Sequence, residues 1–205
     1  MSEPRETAPA ADEVAPGLWH WRISNSGIGG HVSSSQAVMT REGCVLIDPV
    51  RLDDAALGGL PRPIATLLTA RCHQRAAWRY RRELGAPVWL PEDASAADEE
   101  PDHTYADGDL VPGGLRAFRT PGPEWAHYSF LLEGDPGVVF CSDLLTNADG
   151  VLRFIPPSLH DDPPATRASV ERLLGLPFGI LCFAHGAPIV DDPKVALREV
   201  LERGE

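Results

Sequence analysis

The sequence predicts an α/β chain in which two β-sheets pack face to face with helices outside. Three observations lead there. Strand-like runs fall into two groups, between residues 18 and 90 and between residues 115 and 183. Each group is accompanied by a segment whose apolar residues recur at helical spacing, as a covering helix requires. Within the first group, a strand, a helix and a second apolar strand follow one another in roughly 25 residues, a βαβ unit whose two strands should run parallel.

The elements follow in order. Leu18, Trp19, Trp21 and Ile23, then Ala37 to Thr40, then Cys44 to Ile47 read as strands, by alternation or as short apolar runs bounded by Gly and Asp. Asp53 to Leu57 suits a short helix before Pro61 and Pro63 interrupt it, and Ala65 to Thr69 is the next buried strand. From His73 to Leu84, Ala76, Ala77, Tyr80 and Leu84 share one helical stripe, and Gly85 stands where a C-terminal cap belongs. Pro87 to Leu90 follows as a strand. Residues 91–108, acidic and small, read as a loop or frayed helix. Leu115 to Arg119, His127 to Leu132 and Val138 to Cys141 give three more strands, the last two joined by a turn at Gly134-Asp135-Pro136-Gly137. Ala165 to Leu174 reads as a helix with Asp162 as its N-cap, Gly179 to Phe183 as a buried strand, and Pro193 to Glu202 as a final amphipathic helix.

At 205 residues the chain can bury a core without disulfide support. The first sixteen residues, MSEPRETAPAADEVAP, have no apolar periodicity and are expected to stay disordered, leaving residues 17–205 as one domain. Neither a signal-like opening nor a run of about 18 apolar residues is present, so membrane spanning is disfavoured and a cytoplasmic location is expected. A net charge of −12 repels phosphate backbones and anionic lipid, which argues against nucleic-acid and membrane partners. Arg71, Arg75, Arg79, Arg81 and Arg82 form a local basic cluster that suits a solvated helix face. Cys44, Cys141 and Cys182 lie in apolar runs and should be buried, reduced and inert.

Five segments in order carry a resemblance. Ser33 to Met39 with Gly43 to Asp48, Ile64 to Thr69, Arg119-Thr120-Pro121-Gly122-Pro123, Cys141-Ser142-Asp143-Leu144-Leu145 and Phe183-Ala184-His185-Gly186 resemble the landmark segments of the metallo-β-lactamase superfamily. The resemblance implies an αββα four-layer sandwich of two mixed sheets, hydrolase ancestry, and a metal pair that lowers the pKa of bound water toward about 7. At the four positions of the superfamily's His-x-His-x-Asp-His motif, however, this chain has Ala70, Cys72, Gln74 and Arg75, and Pro123 replaces the next histidine. The bridging aspartate and the last histidine match Asp143 and His185, so two of seven ligands remain by position and a dinuclear site is not expected.

Three readings of function follow. In the first, the chain has lost its metal chemistry, needs no cofactor and survives as a binding or structural protein, with the Arg75 guanidinium in the vacant cation position paired to Asp143. In the second, a shift of the loop brings His73 to Asp143 and His185 and completes a mononuclear site for one zinc, iron or manganese ion, serving a hydrolase of a small ester or thioester. In the third, Arg75 and Arg71 clamp an anionic small molecule while His73 or His185 exchanges protons. Cys72 lacks a neighbouring imidazole from its own motif. His127 reads as a half-buried packing residue of a strand and His160 as lining the cleft, while His20 and His31 have no partner pattern.

Overall fold

The computed structural model describes residues 3–94 and 97–204. Seven strands form the first sheet in sequence order: β1 (Asp12–Ala15), β2 (Leu18–Asn25), β3 (His31–Met39), β4 (Cys44–Ile47), β5 (Pro63–Leu67), β6 (Val88–Pro91) and β7 (His103–Tyr105). The pairing is antiparallel from β1 to β4 and parallel from β4 to β7. The second sheet, formed from β8 (Leu110–Val111), β9 (Leu115–Arg119), β10 (Tyr128–Leu132), β11 (Val138–Phe140) and β14 (Ile180–Cys182), runs β14-β11-β10-β9-β8. A small ribbon of β12 (Leu145–Thr146) and β13 (Arg153–Phe154) stands apart.

Alternation assigns the layers. In β4, Val45 and Ile47 point into the space between the sheets, where they meet Leu115, Phe130 and Phe140 of the second sheet, while Cys44 and Leu46 point outward. All four are buried, which is why the strand reads as a continuous apolar run. Helices α1 (Asp54–Gly59) and α2 (Ala77–Leu84) belong to the outer face of the first sheet, where Tyr80 packs with Trp21 and Leu46. Helices α3 (Pro163–Leu173) and α4 (Pro193–Arg203) cover the second, through Val170, Leu173, Leu197 and Val200. The result is the expected four-layer αββα sandwich. Burying each of these large side chains contributes about 1.5–3 kcal/mol.

Local signals hold where they are chemical. The carboxylate of Asp53 accepts from Ala56 N–H (2.7 Å) at the start of α1, that of Asp162 accepts from Ala165 N–H (3.0 Å) at the start of α3, and Gly85 closes α2 at φ 69°. The helix expected from His73 begins only at Ala77, because residues Arg71–His73 form a short 3-10 turn and Arg75 takes φ 39°.

Two expectations about loops need correction. The stretch expected to be a disordered tail is paired: Asp12–Ala15 lies antiparallel to β2, and Ala8, fully buried, exchanges backbone hydrogen bonds with Arg51 and Asp53 at 2.8 and 2.9 Å. Its order comes from main-chain pairing, which side-chain composition does not report; residues 1 and 2 of that tail lie outside the described residues. Within residues 91–108, of which 95 and 96 also lie outside, β7 adds a parallel strand to the edge of the sheet. Only Tyr105 of its three residues is buried, with its hydroxyl donating to Leu68 O (2.6 Å), so no alternation could mark it.

Candidate metal centre

The chain ends of several elements converge on one carboxylate. Asp48 follows β4, Thr69 follows β5, His73 ends the 3-10 turn, Asp143 lies in the turn after β11, and His185 follows β14. Asp48 and Ser142 adopt left-handed backbone, φ 46° and 53°, as Arg75 does. Non-glycine residues rarely do so, and their concentration here marks a place where the surrounding structure holds the chain against its preference.

Asp48 is the base of the arrangement. Its carboxylate accepts from Thr69 N–H (2.8 Å) and Thr69 Oγ1 (2.6 Å), and lies 3.0 Å from His73 Nδ1. Burial alone would raise its pKa, but the neighbouring His73, Arg75 and Thr69 hold it below the usual carboxylate value. The Nδ1 atom also lies 3.0 Å from the hydroxyls of Thr69 and Ser142, and Asp48 is the one pure acceptor among the three, so the Nδ1 proton belongs to it. The Nε2 atom of His73 is thereby turned to Asp143 Oδ2, at 3.0 Å.

His185 repeats the logic from the other side. Its Nδ1 donates to the carbonyl of Val32, and its Nε2 lies 3.0 Å from Asp143 Oδ1. That oxygen is buried and makes no well-directed hydrogen bond despite the short distance. Burial would raise the Asp143 carboxyl, yet the two imidazoles beside it keep it well below the ordinary range; burial would lower His73, yet Asp143, Cys72 and Asp48 drive it well above. The Sγ of Cys72 stands 3.9 Å from Asp143 Oδ2, and donor atoms of Cys72, His73 and Asp143 all lie within 4.8 Å of one another.

The three metal candidates of the sequence, His73, Asp143 and His185, are therefore brought together, with the two imidazoles on different oxygens of one carboxylate. Arg75 is not with them. Its Nη1 donates to Ser34 O (2.6 Å) and Asp48 O (2.9 Å) and its Nη2 to Ala184 O (3.4 Å), so the expected Arg75–Asp143 pair does not form. The left-handed turn at Arg75 sends the side chain to these carbonyls at the edge of the cleft, where it is 4% exposed. Gln74 is equally committed: its Nε2 donates to Arg71 O and its Oε1 accepts from Trp78 Nε1 and Asp98 N–H. Of the other members of the basic cluster, Arg71 lines the cleft, while Arg79, Arg81 and Arg82 pair with Glu3, Glu83 and Glu99 on the surface, as a solvated face should.

His127 is fully buried behind the site, not half-buried in a strand. Its Nδ1 donates to Thr120 O (2.8 Å) and its Nε2 accepts from Asp143 N–H (3.3 Å); burial pushes its pKa down to about 4. His160 does line the cleft. Its Nδ1 is 2.8 Å from Thr166 Oγ1 and its Nε2 is buried without a partner; burial lowers its pKa. Cys44, Cys141 and Cys182 are buried, and burial raises each thiol, that of Cys44 to about 11. Sequence reasoning gave no role to Asp48, Thr69, Ser142 or Glu124. Burial raises the Glu124 carboxyl, whose Oε1 accepts from Arg71 N–H at 2.9 Å. Its place just after Pro123 was the one signal that could have found it.

Above the carboxylate opens a cleft of about 690 Å³. Cys72, His73, Asp143, His185, His160 and Glu124 give it a polar floor, and Ile28, Val32, Pro123, Ile155, Pro156 and Leu159 an apolar wall.

This architecture is the metallo-β-lactamase fold. The DIM-1 metallo-β-lactamase exposed to ceftazidime superposes with a TM-score of 0.75 at 12% identity, over 98% of this chain and 100% of that one. TTHA1623 in a di-iron-bound form gives 0.62 at 27% identity, over 77% and 89%, and the archaeal superfamily protein ST1585 from Sulfolobus tokodaii gives 0.67 at 17%, over 97% and 84%. No protein-family model and no curated protein matches the chain. Among the described residues, no helix is long and apolar enough to cross a membrane.

Proposed function

We propose that the chain is a metallo-β-lactamase-superfamily hydrolase of a small ester or thioester, built on one divalent ion, zinc, iron or manganese, at Asp143 in place of a metal pair. The observation that carries this reading is the orientation of the two imidazoles. Each has its Nδ1 engaged by an oxygen acceptor, Asp48 for His73 and the Val32 carbonyl for His185, and each presents Nε2 to Asp143 at 3.0 Å. A carboxylate or carbonyl behind the far ring nitrogen is the arrangement that fixes a ligating histidine in its metal-binding tautomer. In neutral rings both Nε2 lone pairs would face a carboxylate, a repulsive contact that a cation held at Asp143 would relieve. The buried Asp143 Oδ1 without a directed hydrogen bond fits the same donor set. A di-iron form of the 27%-identical TTHA1623 lends further support.

When bound, such an ion supplies Lewis acidity and lowers the pKa of a water toward about 7. The chain's own residues do the rest. Asp48 and Val32 hold the two rings, the apolar wall seats an acyl group and excludes water, and His160, a cleft-lining imidazole whose pKa burial lowers, is the neighbouring group that would accept a proton. Gln74 and Arg75, both tied to other partners, offer no donor to a second ion at their motif positions.

A second reading has its own support. His73 is held well above its ordinary pKa by Asp143, Cys72 and Asp48, so a charged imidazolium neutralises the carboxylates with no ion, as a non-hydrolytic protein would require. Elemental analysis of protein purified without tag-derived metal separates the two. About one zinc, iron or manganese per chain, lost together with p-nitrophenyl ester or thioester hydrolysis in Asp143→Ala and His73→Ala, is the expected result. Folded, metal-free and inert wild-type protein that stays so after incubation with each of the three ions would overturn the hydrolase.

A further inference from the structure

We propose that Cys72 is a thiolate ligand of this site, so that the ion is held by sulfur, nitrogen and oxygen from Cys72, His73 and Asp143. The inference rests on the metal reading above and goes beyond the set of His73, Asp143 and His185. Three observations place the sulfur there. Among the described residues, the tightest donor group in the chain is Cys72, His73 and Asp143, mutually within 4.8 Å, whereas His185 faces the opposite carboxylate oxygen. A metal–sulfur bond of about 2.3 Å and a metal–oxygen bond of about 2.1 Å add to more than the 3.9 Å between Cys72 Sγ and Asp143 Oδ2, so one ion reaches both. The 3.0 Å between His73 Nε2 and the same oxygen meets the same condition.

The backbone holds the sulfur in place. Cys72 sits in the 3-10 turn that His73 N–H closes on Ala70 O (3.1 Å), and Arg71 N–H before it is anchored on the Glu124 carboxylate. Cys72 also differs from the other three cysteines, which are buried in the apolar core clusters, by opening on the cleft. Charge favours the assignment. A thiolate and the Asp143 carboxylate together carry two negative charges, which a divalent ion neutralises with both histidines uncharged. On binding, the Cys72 S–H proton is released to solvent and its sulfur lone pair forms the new bond. A soft donor in the set favours zinc or ferrous iron over manganese and magnesium.

Cobalt(II) added to chelator-treated protein is the probe. Wild type is expected to bind it with visible ligand-field bands and a near-ultraviolet sulfur-to-cobalt charge-transfer band. Cys72→Ser should keep the ligand-field bands, lose the charge-transfer band, bind at least tenfold more weakly and release one proton fewer per cobalt. His185→Ala should keep the charge-transfer band. Ligand-field bands without a sulfur band in wild type, or a sulfur band that survives in Cys72→Ser, would overturn the thiolate while leaving the metal reading intact; no cobalt binding at all would overturn both. Matching far-ultraviolet circular dichroism of Cys72→Ser and wild type keeps the comparison free of unfolding.

Discussion

Replacing His127 with Gln is expected to flatten the acid sensitivity of the fold. The ring is fully buried between Thr120 and Asp143, and burial holds its pKa near 4 against an ordinary 6.5. The native state therefore keeps it neutral while the unfolded chain takes up a proton as the pH falls below 6.5, so this stability is present above that value and lost toward pH 4. With about 1.4 kcal/mol per pKa unit, the loss is about 1.4 kcal/mol by about pH 5.5 and about 3 kcal/mol by pH 4. The assay is urea unfolding of wild type and His127→Gln in chelator at about pH 7.5, 5.5 and 4, compared as differences. The subtraction removes the shared contributions of His20 and His160, whose pKa values burial also lowers. Parallel stability profiles for the two proteins would refute the claim that His127 is buried neutral.

Two further substitutions test the frame. Arg75→Met should cost about 3–5 kcal/mol in urea unfolding, because Ser34 O, Asp48 O and Ala184 O lose a buried charged donor, and Arg75→Lys should recover less than half of that because an ammonium cannot reproduce the fork. Gly186→Ala should cost about 3 kcal/mol or more in the same assay, since its φ is +120° and a Cβ there would lie 2.1 Å from Asn147 C, directly after His185.

The layer architecture was legible because it is written in periodicity and caps. Val45, Ile47, Cys44 and Leu46 divide between two faces by alternation alone, and Asp53, Asp162 and Gly85 mark helix ends by side-chain chemistry or a permitted backbone angle. What escaped was order conferred by main-chain pairing. Ala8 and β7 are held chiefly through N–H and C=O groups that every residue has, so their composition gave no sign of it.

The site was legible in its residues and illegible in its connections. Asp143 and His185 were found by position and His73 by the allowance of a one-residue shift, which the 3-10 turn and the left-handed Arg75 supply. Asp48 looked like a strand end until the fold set it behind His73, and Arg75 looked like the cation at Asp143 until its backbone angle sent it elsewhere. Those connections also restrict what the site can be. With both Nδ1 atoms committed to acceptors, each Nε2 facing Asp143 is either a charged N–H or a bare lone pair. A charged ring would itself neutralise Asp143, whereas a neutral ring would leave that charge to a cation. Because Asp143, Cys72 and Asp48 hold His73 well above its ordinary pKa, metal uptake at its Nε2 has to displace a proton, and the affinity for metal should rise with pH.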